Sequence, residues 1–151
     1  MRHRVRTPPR YRRKRRGKRR GYVHGYLRDV AWFRRRDAWF VEEQATRGLI
    51  RCIVCGKADT KTHMELHHLD YSGVHQQEDG TWVAGERHED LVAAHPRCHE
   101  WIHTVLDRDT AAGGARDRRS ANVRVIRALR AKVAAVLGGK EDLDNPESSK
   151  R

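Results

Sequence analysis

The chain has 151 residues, room for one compact domain with appendages, and its 37% hydrophobic and 35% charged content leaves only a small core. Thirty-three Lys and Arg face twenty Asp and Glu, and twelve of those bases fall in the first twenty residues with no acid among them, so the rest of the chain is nearly neutral. No apolar run is long enough to cross a membrane, three cysteines are an odd number for a disulfide framework, and the absence of an export signal after Met1 points to the reducing cytoplasm.

Residues 1–24 read as a disordered basic arm, with Pro8 and Pro9 opposing helix. Its plainest uses are solubility or localisation. Arginine outnumbers lysine, however, and arginine suits phosphate, so Arg12, Arg13, Lys14, Arg15, Arg16, Lys18, Arg19 and Arg20 are expected to grip nucleic acid. Residues 25–49 form an aromatic-rich helical segment. The tripeptide Ala-Trp-Phe occurs at 31–33 and again at 38–40, a seven-residue spacing that puts both copies on one helical face. Core packing is the expected use of these rings; base stacking is the sharper alternative. Gly48 suits the end of that helix.

Leu49 to Val54 reads as a short strand or loop, and Thr62 to Leu69 as a strand. Residues 71–88 are polar, with a hairpin turn expected at Asp79-Gly80 and a returning strand at Thr81-Trp82-Val83. Leu91 to Ala94 is another short strand. Pro96 suits the first position of a helix running to about Leu106, and Gly113-Gly114 breaks the chain. A basic amphipathic helix over 115–139 follows, its apolar stripe drawn from Val123, Ile126, Leu129, Val133 and Val136/Leu137, and its Arg124 and Arg127 offered to phosphate. Residues 140–151 read as a disordered tail.

All three cysteines and eight of the ten histidines lie between Cys52 and His103, and they sort into two sets. Cys52, Cys55, His95 and Cys98 have the paired spacing of a zinc knuckle. Four such ligands fill a tetrahedral zinc and leave no open position, so this set is expected to be structural. His63, His75 or His88 can stand in for His95 on sequence grounds. The second set is His67, His68, His99 and His103. His99 and His103 are four apart on a helix and share a face. His67 and His68 are adjacent on a strand and point to opposite sides, so one can bind a metal while the other stays free as a base. A chance surface cluster is the bland reading of this set.

In their order and spacing, Cys52/Cys55, Glu65-Leu66-His67-His68, Asp90-Leu91-Val92 and His95-Pro96-Arg97-Cys98-His99 resemble the HNH endonuclease family, over roughly residues 50–107. The resemblance implies an α+β fold: a small ββα-metal core with a structural Zn2+, flanked here by an N-terminal and a C-terminal helix and the basic arm. It implies His67 and His99 as ligands of a catalytic divalent cation (Mg2+, Mn2+, Ni2+ or Zn2+), His103 as an accessory ligand, His68 as general base, and Asp90 where the family often carries Asn to position the loop. His95 stands where the family usually has the first cysteine of the second pair. The implied activity is hydrolysis of DNA phosphodiester bonds, and the chemistry would serve RNA equally. Compact basic chains of this kind resemble those of bacteriophages and their actinobacterial hosts, which makes phage packaging proteins expected partners beside DNA and a bacterial or phage-infected cell the expected setting. The aromatic and basic helices suit a dimer interface as well as a DNA contact. The competing reading is a non-enzymatic zinc protein of the ribosome or nucleoid, which has no need of the second histidine set.

Overall fold

A computed structural model describes residues 25–111 and 117–141. The arm with Arg12, Arg13, Lys14, Arg15, Arg16, Lys18, Arg19 and Arg20, the Gly113-Gly114 break and residues 142–151 lie outside them. The described chain is α+β: helices packed around two small antiparallel sheets.

Helix α1 spans Val30–Arg47. It starts where the Asp29 carboxylate accepts the Ala31 N–H at 2.8 Å, and it ends at Gly48, whose φ of 75° carries its N–H back to the Gln44 carbonyl. Trp32, Trp39 and Phe40 are buried, but Phe33 is 50% exposed. The repeat therefore does not bury both copies alike. Arg36 and Lys61 lie over the Phe40 ring, at 5.2 and 6.0 Å from its centre, and Lys61, from the 3-10 turn Lys61–His63, also pairs with Asp37 of the helix. That turn also corrects the expected strand over 62–69, which is shortened to β1, Glu65–His68.

Trp39 donates its indole N–H to the His88 carbonyl at 3.1 Å and stacks on the His88 ring. Trp39→Ala is expected to cost about 3–5 kcal/mol in urea unfolding, the usual cost of emptying a large aromatic site. A base-stacking role predicts the reverse: little loss of stability and weaker nucleic-acid binding.

Residues 49–54 form a turn rather than a strand, bridged only from Arg51 to Ala58. The Ile53 N–H reaches the Ala93 carbonyl at 2.8 Å and docks this turn on β4, Leu91–Ala94. Strands β1 and β4 pair antiparallel, with Glu65 opposite Ala94 and His68 opposite Leu91. Between them β2, Val74–Gln76, and β3, Trp82–Ala84, make the expected hairpin around Asp79-Gly80. Gly80 has φ 87°, and the Asp79 carboxylate accepts the Thr81 N–H. At the hairpin base Gly73 and Gly85 touch so closely that a Cβ on Gly73 would fall 1.8 Å from the Gly85 oxygen.

Helix α2, Pro96–Ala111, runs past the expected end at Leu106 and packs on β1 and β4. Helix α3, Arg118–Glu141, packs on α2. Its buried stripe is Ala121, Asn122, Val125, Ile126 and Leu129, while Val123, Val136 and Leu137 are exposed. Of the expected stripe, Ile126 and Leu129 are thus buried and Val133 packs half-buried against the core, with Ala121, Asn122 and Val125 in place of Val123. At 24 residues against 16, α3 also has more turns than α2 can cover.

Candidate metal centres

The turn after α1 carries Cys52 and Cys55; the junction of β4 and α2 carries His95 and Cys98. One ligand atom from each lies within 4.8 Å of all the others. Tetrahedral zinc with bonds of about 2.3 Å needs thiolates about 3.8 Å apart, so the set can hold a metal such as zinc with little adjustment. All three thiols are free. Burial pushes Cys52 up, but amide hydrogens of Cys55, His95 and Val54 outweigh it and bring this thiol down, toward the thiolate a metal requires. Burial and the neighbouring Cys52 and Cys55 push Cys98 up, because crowded thiolates repel unless a cation joins them.

Among the histidines that could have filled the fourth place, the structure selects His95. Its Nδ1 lies 3.4 Å from the Cys55 sulphur, and its Nε2 faces Asp59 at 3.3 Å. His63 is held by Asp59, His88 lies between Glu42 and Glu43, and His75 is exposed on β2.

The second group joins His67 of β1 to His99 and His103 of α2, again with one nitrogen from each inside 4.8 Å. The two Nε2 atoms of His99 and His103 are 3.1 Å apart, and both rings meet His67 edge-on, with centres 5.1 and 5.0 Å away. The outward nitrogens are occupied: Glu65 takes His99 Nδ1 at 2.5 Å, and Asn122 takes His67 Nε2 at 2.6 Å. His67 is 1% exposed, and its Nδ1 is buried with no hydrogen-bond partner among the described residues. An orphaned imidazole nitrogen beside two facing ones is what a metal site leaves when only protein atoms are counted. Burial holds the His67 ring down to about 3; Asn122 opposes this, and repulsion from His99, His103 and Arg118 adds to it. The ring is therefore neutral, the ligating form. Donor set and protonation both fit a divalent cation.

His68 points to the other face of β1. It is 3% exposed, stacked on Tyr71 with ring centres 4.1 Å apart and covered by Trp32 at 4.5 Å. Its Nε2 meets Glu86 Oε1 at 2.9 Å, and the Tyr26 hydroxyl donates to the same oxygen at 2.6 Å. Burial lowers the His68 pKa, with Glu86 working against it. Burial alone would raise Glu86, but the hydrogen bonds from His68 and Tyr26 hold it below the usual carboxylate range.

Asp90 is buried at the start of β4, its carboxylate paired with Arg87 and Arg119, and its carbonyl accepts the Leu69 N–H at 2.8 Å. It thus ties the loop ahead of β4 to the end of β1 and to α3. Of the helix bases, Arg124 pairs with Asp109 of α2. Arg127 stands with Arg130 beside a groove of about 380 Å³ floored by Ile53, Val92 and Val123. Arg118, which carried no expectation, sits over the Tyr71 ring at 4.7 Å and adds positive potential at His67, His68 and His103. Glu86 and Asn122 were also missed. Glu86 lies in a polar stretch with no periodic signal. Asn122 had one: it falls four residues before Ile126 and seven before Leu129, a lone amide on an apolar stripe.

No protein-family model, no curated protein and no solved structure matches this chain.

Proposed function

We propose that the chain is a metal-dependent endonuclease of the HNH type, hydrolysing phosphodiester bonds in DNA. The observation that carries this reading is the convergence of His67, His99 and His103 on one point, with two of the three anchored from behind by Asn122 and Glu65. A zinc staple alone has no use for it. These three residues would hold the cation, which when bound supplies positive charge against the phosphate and the leaving 3′ oxygen.

The chain's own residues supply the rest. Glu86 accepts the Nε2 hydrogen of His68, which leaves Nδ1 as the basic nitrogen. Nδ1 takes a proton from water as the water oxygen bonds to phosphorus. The bond from phosphorus to the 3′ oxygen breaks, and that oxygen leaves with a proton from solvent. The products carry 5′ phosphate and 3′ hydroxyl. Arg118, on the rim of the site, is suited to bind the phosphate before and after the step. The basic arm adds grip without reading sequence.

One observation favours a second reading, a zinc-bearing nucleic-acid-binding protein without activity: His68 lies beneath Tyr71 and Trp32, a closed position for a base.

Supercoiled-plasmid cleavage decides between them. After mild chelation and return of Mg2+, Mn2+, Ni2+ or Zn2+, the wild type is expected to nick or linearise the plasmid, and His99→Ala, folded and still binding DNA, is expected to lose that activity. Tight binding by both without cleavage of DNA or RNA under any metal would leave the non-enzymatic reading.

A further inference from the structure

We infer that Asn122 of α3 is a positioning residue of the histidine centre: it fixes His67 as the Nε2–H tautomer and so turns the Nδ1 lone pair toward His99 and His103. The inference rests on the proposed metal centre and makes the C-terminal helix part of it.

The argument is one of hydrogen-bond supply. Asn122 is 0% exposed, so its amide cannot turn to water. Its Nδ2 lies 3.0 Å from the Leu69 carbonyl and 3.0 Å from the Arg118 carbonyl. Carbonyls only accept, so both amide hydrogens are committed, and the atom facing His67 must be Oδ1. An oxygen without hydrogen, 2.6 Å from His67 Nε2, requires that nitrogen to donate. A neutral imidazole carries one N–H, so Nδ1 is left as a bare lone pair. That nitrogen has no partner among the described residues, and the His99 and His103 rings lie edge-on to the His67 ring, with centres 5.1 and 5.0 Å away.

The same amide clamps three pieces of chain: the end of β1 through Leu69, the first turn of α3 through Arg118, and the ligand itself. A metal-bound histidine whose other nitrogen loses its partner usually costs about 10–100-fold in affinity. Glu65 does the corresponding work for His99 from the same strand, but Asn122 comes from a helix some fifty residues further along the chain.

The test uses the full chain with its cysteine site filled by zinc. Ni2+ is titrated calorimetrically into the wild type, Asn122→Leu and Asn122→Asp. The leucine variant, similar in size and without an acceptor, is expected to bind Ni2+ about 10–100-fold more weakly. The aspartate variant keeps an acceptor for Nε2–H but cannot donate to Leu69 and Arg118, so it is expected to stay within a few-fold of wild type while melting lower. Imidazole nitrogen NMR of the Ni2+-free wild type reads the tautomer directly, with His67 expected as Nε2–H. A His67 protonated at Nδ1, or a folded leucine variant that binds Ni2+ like the wild type, overturns the inference. If the leucine variant does not fold, the tautomer and the aspartate variant decide. If the wild type takes up no Ni2+, the metal centre of the proposed function falls, and the tautomer alone decides the role of Asn122.

Discussion

Cys98→Ser, or removal of zinc by a strong chelator, is expected to unfold the domain. A Cys3His zinc site contributes about 10–16 kcal/mol, and a domain of this size is stable by about 5–15 kcal/mol in all, so the metal-free chain has little left to hold it. The structure shows where that loss falls. The cysteine turn docks on β4 through Ile53, and Cys98 sits in the first turn of α2, so the four ligands pin the loop, the sheet and the helix at one point. Circular dichroism melts with measured zinc content check this: the transition should vanish on chelation and return with added zinc. His95→Ala should lower zinc content, while His63→Ala and His88→Ala should not. A chelated chain that melts as before would mean the cysteines are only core residues.

His68→Ala is expected to lower the cleavage rate by about 10²–10⁴-fold, the range for loss of a general base, with little change in plasmid binding. Glu86→Gln should lower it less, and the double variant should be no slower than His68→Ala, because Glu86 would act only through that ring. The wild-type pH profile carries a signed expectation. Burial holds the His68 pKa below its ordinary value of about 6.5, so the base form survives into more acid solution, and cleavage should fall off only below the usual imidazole range. A profile that falls at the ordinary histidine pH, or additive losses in the double variant, would remove His68 from the chemistry and leave it as a core residue of the aromatic cluster.

The candidate ligands were legible in the sequence because a metal site constrains spacing. Cys52 with Cys55 and His95 with Cys98 are three apart, His99 and His103 are four apart on a helix that Pro96 opens, and Asp79-Gly80 marks a turn without regard to what surrounds it. Each is local, and local geometry follows from local residues. What supports the ligands was not legible. Glu86 reaches His68 across 18 residues and Asn122 reaches His67 across 55, and no periodicity links residues so far apart. The burial of His68 was hidden for a related reason. Strand alternation says that it faces away from His67, but not that Tyr26, just before α1, and Trp32, at its start, close over it together with Tyr71 of the loop after β1.

By itself, then, the sequence determined the α+β class, the division of charge between the first twenty residues and the rest, and the identity of the residues fit to ligate metal, because these depend on composition and short spacings. Tertiary structure alone decided that His95 rather than His63, His75 or His88 joins the cysteines, that Asp90 pairs with Arg87 and Arg119, and that α3 reaches into the histidine cluster through Asn122. Those outcomes depend on which surfaces meet once the small core closes, and a buried polar atom must then find its partner wherever the packing has brought one.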